Sequence, residues 1–354
     1  MHVPDGFINL PVSAIAGVAA AGAVAVSLRG ARRELDERTA PLAGLVAAFI
    51  FAVQMLNFPV AAGTSGHLLG GALAAILVGP FTGVLCVSVV LLMQGILFAD
   101  GGLTALGVNI TVMGVVTVVV AYGIFRGLVK VLPRGRRSVT AASFVAALVS
   151  VPAAAGAFTL IYAIGGTTDI PVGKVLTAMV GVHVLIGVGE AMITAATVGA
   201  VIAVRPDLVH GARDLAAPLK LLVGGKLVDA TPEPAPAPVA ARSTRKVWGA
   251  GLVSALVIAG VVSFYASASP DGLEKVAADQ GIDKKVGEHA TANSPLADYG
   301  IKDIANPRIS GGLAGVIGVG ATVVAGTGIF WAVRRRREDG SRSDTTPVRA
   351  EESA

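Results

Sequence analysis

The sequence predicts an all-α protein: a polytopic membrane helical bundle of about seven helices plus two accessory helices, with its N-terminus outside and its C-terminus inside. Apolar residues make up 54% of the 354 residues and charged residues only 14%, whereas soluble domains carry roughly 25% charged residues. Apolar stretches of about 20 residues recur, which is the length that crosses a bilayer as a helix.

Nine apolar segments follow one another, separated by polar turns and basic loops. They lie at about 8–28, 42–62, 68–78, 81–98, 103–125, 141–164, 175–204, 247–266 and 309–333. The third segment is short and Gly79-Pro80 ends it, so we expect it either to cross the membrane or to form a half-helix. The seventh is long enough to be tilted.

The distribution of Lys and Arg predicts the orientation. Segments 29–38, 126–137, 205–246 and 334–354 hold 22 of the 28 basic residues, and basic loops remain on the cytoplasmic side. This places the N-terminus outside the cell membrane. Because the basic residues flank apolar segments, we interpret them as orienting the chain in membrane lipid and expect no nucleic-acid partner.

Four regions differ in composition. Residues 1–204 carry seven apolar segments and are predicted to be a membrane component. Residues 205–246 form a polar, Pro-rich cytoplasmic linker, whose alternating prolines are typical of extended chain. Residues 247–333 hold two apolar segments around a hydrophilic outer loop, and residues 334–354 form a charged cytoplasmic tail.

The chain begins Met1-His2-Val3-Pro4-Asp5-Gly6. A histidine at position 2 allows the α-amine, its own backbone nitrogen and its imidazole to close two fused rings on one ion. Three nitrogen donors including a deprotonated amide favour Ni(II) or Cu(II), with Co(II) possible. No basic segment precedes the first span and no cleavage site follows it, so we expect Met1 to be retained. The alternative is that His2 stands there by chance.

His67 is the candidate fourth nitrogen donor. It follows a predicted turn on the same outer side as Met1, and its glycine-rich flanks suit a close approach of two backbone segments. A fourth nitrogen would complete a square plane. An ordinary loop histidine is the alternative. Asp5 and Asn57 are predicted to hold the ligands in place through hydrogen bonds, without contacting the ion themselves.

Four polar residues lie within the predicted spans: Gln94, Asn109, His183 and Glu190. His183 and Glu190 are seven positions apart and therefore share a helix face. Ionisable groups within a membrane point inward and have partners. We expect a structural polar network here rather than a translocation path.

Acidic residues recur in the late outer loop, at Asp271, Glu274, Asp279, Asp283 and Glu288. They are expected either to concentrate cations near the entrance or to be an ordinary solvated surface. The preferred interpretation of this loop is that it docks against the outer loops of the first region and promotes metal loading.

Six motifs follow one another in residues 1–204: the start at 1–7, GHLLGG at 66–71, GPFTG at 79–83, QGILFADGGL at 94–103, GVNI at 107–110 and HVLIGVGEA at 183–191. Together they resemble the CbiM/NikM family, the substrate-binding membrane component of nickel/cobalt energy-coupling factor (ECF) importers. Further on, PDGLE at 270–274 and SPLADY at 294–299 resemble the nickel-type PDGLE accessory domain. The chain therefore resembles a fusion of both components.

The resemblance implies the substrate-specific component of an ECF-type ABC importer, which captures Ni2+ or Co2+ outside as its transported substrate. In that family the N-terminal amine, the amide and imidazole of the second residue and a later histidine hold the ion, at positions that match Met1, His2 and His67. A transmembrane coupling subunit and a pair of cytoplasmic ATPase subunits would drive uptake. The sequence contains no P-loop motif, so we expect a transporter subunit without its own ATPase, not an enzyme.

Other functions remain open from the sequence alone. Cobalt-specific uptake supporting cobalamin synthesis is one, and a metal-independent membrane scaffold or channel is another. A membrane-embedded metalloenzyme would need an HExxH motif or paired carboxylates facing a water path, and the sequence offers neither.

Overall fold

The backbone is almost entirely helical in the computed structural model, which describes residues 1–37, 39–61, 63–215, 220–223, 226–229 and 244–343. The α-helices of these residues are α1 (Leu10–Glu34), α2 (Thr39–Gln54), α3 (Gly71–Val78), α4 (Pro80–Leu97), α5 (Leu106–Asn109), α6 (Thr117–Val131), α7 (Arg136–Gly165), α8 (Val172–Val204), α9 (Arg245–Gly260), α10 (Gly272–Gln280) and α11 (Pro307–Ser343). A π-helical stretch, Ile110–Val116, joins α5 to α6.

Strands are few and short in the described part of the chain. β1 (Phe58–Pro59) pairs antiparallel with β2 (Ser65–Gly66), with Phe58 opposite Gly66. Their hairpin lies directly before the segment that carries His67. β3 (Lys220–Val223) and β4 (Lys226–Asp229) form a second antiparallel pair within the predicted linker.

Seven helices of the described residues are long and apolar enough to cross a membrane: Leu10–Glu34, Pro80–Leu97, Leu106–Val131, Arg136–Gly165, Val172–Val204, Arg245–Tyr265 and Pro307–Arg335. This confirms the prediction of a polytopic helical membrane protein. The first of them begins where the side chain of Asn9 accepts a hydrogen bond from the N–H of Val12 at 3.0 Å, which satisfies one of the free N–H groups of the first turn.

The predicted second and third spans are shorter as helices than their apolar runs. α2 ends at Gln54 instead of continuing to residue 62, because the hairpin follows it. α3 begins only at Gly71, and residues 67–70 before it belong to no helix or strand. α3 ends at Val78, and the φ of 101° at the following Gly79 is one that no other residue type adopts easily. The predicted half-helix is therefore non-helical at residues 68–70 and helical from residue 71 onward.

The two ends of the bundle can be told apart by their contacts. At the end that holds Met1, hereafter the N-terminal end, Asn9 N–H donates to Gly165 O at 2.7 Å and Ser267 N–H donates to Asn57 O at 2.7 Å. At the opposite end, the hydroxyl oxygen of Tyr122 on α6 lies 3.2 Å from Nε2 of His210, which follows α8 in the chain. The described chain passes between these ends nine times, if residues 67–70 are counted together with α3 as one pass.

Glu34 stabilises the opposite end. Its buried carboxylate accepts hydrogen bonds from the N–H of Phe81 at 3.2 Å and from the N–H and hydroxyl of Thr82 at 2.7 Å each. These N–H groups belong to the first turn of α4, where a helix offers no acceptor of its own and favours negative charge. Glu34 therefore ties the end of α1 to the start of α4.

Replacing Glu34 by Ala is expected to destabilise the protein by about 1–3 kcal/mol, because buried N–H donors lose their acceptor. The measurement is the thermal unfolding midpoint of the full chain in detergent. Glu37→Ala is the matched control, since the Glu37 side chain is 83% exposed and its ion pair with Arg334 is 3.9 Å long. Equal midpoints for the two variants would contradict this role of Glu34.

The hydrophilic outer loop between α9 and α11 contains a helix, α10, that hydropathy does not predict. The loop covers the N-terminal end of the bundle: Thr291 donates its hydroxyl to Gly95 O at 2.9 Å and Ser294 donates to Leu97 O at 2.6 Å. The loop therefore docks on the outer loops of the first region, as the preferred interpretation expected. Residues 230–243 of the predicted linker and 344–354 of the predicted tail lie outside the described residues.

Candidate metal centre

The first three residues run into the N-terminal end of the bundle as a buried strand-like segment. Met1 is only 2% exposed and Val3 is fully buried. Asn109 holds Val3 on both sides of its backbone: the N–H of Val3 donates to Oδ1 at 2.8 Å, and Nδ2 donates to the carbonyl of Val3 at 3.1 Å. Gly102 N–H donates to the same carbonyl at 2.9 Å. These bonds fix the direction of the N-terminal amine.

The amine of Met1 lies between a histidine and a carboxylate. Its nitrogen is 2.5 Å from Nε2 of His67 and 2.6 Å from Oδ2 of Asp271. His67 Nε2 and Asp271 Oδ2 are themselves 3.4 Å apart. His67 and Asp271 therefore meet at the N-terminal amine, although they lie 66 and 270 positions from Met1 along the chain.

Both histidines have one ring nitrogen fixed by a hydrogen bond. His67 donates Nδ1–H to the carbonyl of Leu68 at 3.0 Å, and its Nε2 faces Met1. His2 donates Nε2–H to Oε1 of Gln94 at 3.0 Å, which leaves its Nδ1 unprotonated. Nδ1 is the ring nitrogen that closes a six-membered chelate ring with the backbone nitrogen of His2. The acceptors thus select the tautomers that can bind a metal.

The two imidazole rings stack with their centroids 5.0 Å apart and their planes inclined by 22°. Among the described residues, no group of three or more His, Cys, Asp or Glu side chains is placed to hold a metal ion. A metal centre here therefore depends on main-chain nitrogens, the amine of Met1 and the amide of His2, in addition to the histidine rings.

Burial and nearby charges shift the pKa values of the groups around the amine. Burial lowers the pKa of His2 from 6.5 to about 4, although the carboxylate of Asp100 partly opposes the shift. His2 is therefore neutral near pH 7, as a metal ligand must be. Burial alone would raise the pKa of Asp271, but the N-terminal ammonium and His67 hold it well below its usual range. Asp271 is therefore an anion.

The two residues predicted to steady the site lie in different places. Asp5 accepts hydrogen bonds from the N–H of Thr104 at 2.8 Å and from its hydroxyl at 2.5 Å, so it anchors the N-terminal segment a few residues from the amine. Asn57 lines the cavity beside the site, and its backbone carbonyl binds Ser267.

The four predicted intramembrane polar residues each contact a different partner. Gln94 and Asn109 hold His2 and Val3, as described above. Glu190 accepts the N–H of Leu69 at 2.7 Å and the N–H of Gly70 at 3.1 Å, so it anchors the residues that directly follow His67. His183 donates from Nδ1 to Met179 O at 2.7 Å. Its other ring nitrogen, Nε2, is buried without a hydrogen-bond partner among the described residues.

A cavity of about 840 Å³ reaches the candidate centre from the side of the outer loop. Its walls include both histidines and two carboxylates: His2, His67, Asp100 and Asp271. Tyr299, also in the wall, donates its hydroxyl to Asp100 Oδ2 at 2.6 Å. The cavity therefore lies directly beside both candidate histidines.

Three residues reach the centre in roles that the sequence does not predict. From sequence, Asp271 is only one of the loop acids, Gln94 only a member of a membrane network, and Asp100 only a turn residue. In the structure, Oδ1 of Asp100 lies 3.4 Å from Nδ1 of His2. Their contacts with the N-terminus join residues about 90 or more positions apart, which spacing does not reveal.

Comparison with known proteins agrees with this architecture. The family model for CbiM, described as the cobalt uptake substrate-specific transmembrane region, matches residues 2–208, and the PDGLE domain model matches residues 245–335. A crystal structure described as a truncated transition metal transporter superposes with a TM-score of 0.51 at 26% identity. The superposition covers 57% of this chain and 99% of the chain in that structure.

Curated relatives include fused and separate proteins. The fused nickel transport protein NikMN of Rhodobacter capsulatus is 32% identical over 356 residues, covering 94% of this chain and 98% of the relative. The putative fused nickel transport protein NikMN of Archaeoglobus fulgidus is 42% identical over 229 residues, covering 62% of this chain and 71% of the relative. The cobalt transport protein CbiM of Sorangium cellulosum is 33% identical over 215 residues, covering 59% of this chain and 94% of the relative.

The helical membrane bundle and these matches define a multi-pass metal transport component. The chain belongs to the CbiM family, with a match to the PDGLE domain in its C-terminal part. The resemblance predicted from the sequence motifs is thereby confirmed.

Proposed function

We propose that this chain is the substrate-specific component of an ECF-type importer and that it captures Ni(II) or Co(II) at its N-terminal end. The donors are the amine of Met1, the backbone nitrogen and Nδ1 of His2, and Nε2 of His67. The observation that carries the proposal is the 2.5 Å separation between the Met1 amine and His67 Nε2. A buried amine beside an imidazole lone pair is a pair of metal donors that share a proton.

Capture replaces protons and water by nitrogen donors. The hydrated ion enters through the cavity, and the amine of Met1 and the amide of His2 each lose a proton as they bind. His2 needs no deprotonation of its ring, because burial lowers its pKa to about 4. Between Ni(II) and Co(II), four nitrogens with a deprotonated amide suit Ni(II) better, and the order of intrinsic affinity also places Ni(II) above Co(II).

The other parts of the transporter are proposed from the same family membership. Residues 1–204 form the metal-binding component and residues 247–333 the accessory domain. A transmembrane coupling subunit and a pair of ATPase subunits supply the energy, since the sequence contains no P-loop motif. The N-terminal end faces outside, because the basic loops belong to the opposite end.

The direct test is metal binding by the full chain purified in detergent. After removal of bound metal with a chelator, equilibrium dialysis against Ni(II) is expected to give about one ion per chain, with Co(II) bound more weakly because its intrinsic affinity for nitrogen donors is lower. Elemental analysis of the dialysed protein measures the ratio. A chain that retains neither ion at micromolar concentration would refute the proposal.

Gln94→Leu is expected to weaken Ni(II) binding by about 10–100-fold, because His2 loses the acceptor that fixes its tautomer. Gln54→Leu is the control: Gln54 is a buried amide at the same end, but it donates to Leu69 O at 2.9 Å and not to His2. Competition with a coloured chelator gives both affinities. If the two variants lose affinity equally, the effect is a general loss of packing and not one of tautomer.

A further inference from the structure

Asp271 belongs to the accessory region, yet its carboxylate reaches the centre of the candidate metal site. One oxygen, Oδ2, lies 2.6 Å from the Met1 amine and 3.4 Å from His67 Nε2. The other oxygen, Oδ1, accepts the N–H of Glu274 at 2.8 Å. The two oxygens therefore act separately, since Oδ1 caps the start of helix α10 and Oδ2 faces the metal donors.

The residues around Asp271 hold it in this place. The carboxylate of Glu274 in turn accepts a hydrogen bond from the N–H of Asp271 at 2.9 Å, which completes a capping box. The carbonyl of Pro270 accepts the N–H of Ser65 at 2.9 Å, two residues before His67. Leu273 is 1% exposed and anchors α10 in the apolar core.

Gly272 lets the backbone come this close to the bundle. A Cβ at this position would lie 2.7 Å from the side chain of Ile186, 2.9 Å from that of Val182 and 3.1 Å from that of His183. Any larger residue would push α10 away from α8 and withdraw Asp271 from the amine. The five residues of the PDGLE sequence thus act together to present one carboxylate oxygen.

Charge balance gives that oxygen a role with the ion bound. Without metal, the ammonium of Met1 carries +1 and Asp271 carries −1, so the buried pair is neutral. With a divalent ion bound to one deprotonated amide and three neutral nitrogens, the centre again carries +1. An uncompensated charge at a buried site is costly, and Asp271 Oδ2 is an anionic atom within hydrogen-bond distance of the amine.

We infer that Asp271 is a further contact of the bound ion: its Oδ2 exchanges the ammonium hydrogen bond for the metal, so that the accessory region completes the site. The proton leaves the amine for solvent, and no bond of Asp271 other than this contact changes. The inference rests on the proposed nitrogen site. It assigns the accessory region a direct part in holding the ion, beyond covering the N-terminal end.

The opposite role is that Asp271 only locks the empty site, by pairing with the amine and competing with the metal. The two roles predict effects of opposite sign. If Asp271 contacts the ion, removing its charge weakens metal binding. If it only locks the site, removing its charge strengthens binding.

Asp271→Asn and Asp271→Ser separate the two roles, because both side chains still cap helix α10 but neither carries charge. Asp279→Asn is the matched control: it removes one negative charge from the same helix, α10, at a side chain that is 52% exposed and pairs with Lys275. We expect Ni(II) affinity of the full chain to fall about 10-fold or more in both Asp271 variants and to change less than about twofold in Asp279→Asn. The visible absorption of bound Ni(II) should also shift in the Asp271 variants only.

Unchanged or tighter binding in both Asp271 variants, or an unchanged spectrum, would overturn the inference. Thermal unfolding in detergent verifies that each variant is folded. His67→Ala, measured alongside, distinguishes the two proposals. If His67→Ala binds normally, the proposed nitrogen site fails. If it does not bind while the Asp271 variants do, only the role of Asp271 fails.

Discussion

Adding two residues, Met-Leu, ahead of Met1 is expected to abolish Ni(II) binding by the full chain. The extension turns the amine of Met1 into an amide, which removes the donor that lies 2.5 Å from His67 Nε2. The amine is also buried between His67 and Asp271, so the added residues have to displace these contacts. The loss should exceed the roughly 10–100-fold that removal of an outer contact costs. Equilibrium dialysis with elemental analysis measures it.

The length of this extension matters. A single added residue would place His2 third from the new amine, where the amine, two amides and the imidazole can hold a square-planar ion without His67. Two added residues remove that possibility. A chain with the same two residues added at its C-terminus is the control, and the intact mass verifies that both extensions are retained. Undiminished binding by the N-terminally extended chain would eliminate the amine as a ligand.

The helical class of the protein and the order of its helices could be predicted from the sequence, because apolar length and Lys/Arg distribution follow directly from the bilayer. The run at 68–78 is an exception. It is as apolar as a helix, yet residues 68–70 lie outside any helix in the structure. Hydropathy does not distinguish a buried non-helical segment from a buried helix. The left-handed φ of 89° at Gly70 and the anchoring carboxylate of Glu190 explain why the helix begins only at Gly71.

The candidate centre could be predicted only in part. Met1 and His2 are neighbours in sequence, so their chelate is a local property, and the motifs associated His67 with them. The structure places the three together, while metal ligation by them stays a prediction. Gln94 and Asp271 reach the centre through the fold alone. Asp271 nevertheless had a local signal: Asp-Gly-Leu-Glu after a proline is the pattern of a capping box, which predicts a helix at that point.

The anchoring of His67 connects the centre to the long helix α8. Glu190 on α8 binds the N–H groups of Leu69 and Gly70, directly after His67. A displacement of α8 relative to α4, which carries Gln94, would therefore move His67 relative to His2. If the ion is bound as proposed, such a displacement would move Nε2 of His67 away from the other three nitrogens and favour release of the ion.

Replacing His67 by Ala is the second change with a large expected effect. The variant keeps the amine of Met1 and both nitrogens of His2, but it loses the fourth nitrogen, and Ni(II) affinity is expected to fall by more than about 100-fold. Bound Ni(II), if any at millimolar concentration, should no longer show the absorption of a four-nitrogen square plane. Competition with a coloured chelator and visible spectra of the loaded chain provide the two measurements.

His210→Ala is the matched control for this variant, because His210 lies at the opposite end of the bundle beside Tyr122. It should leave Ni(II) affinity and the spectrum unchanged. His67→Gln is a second variant. It preserves more of the side-chain volume beside the buried Met1 amine, and its amide oxygen can accept a hydrogen bond from that amine. It therefore separates loss of the metal ligand from loss of packing. If His67→Ala and His67→Gln both bind Ni(II) as tightly as the unaltered chain, the short contact between Met1 and His67 is structural, and the ion must bind elsewhere.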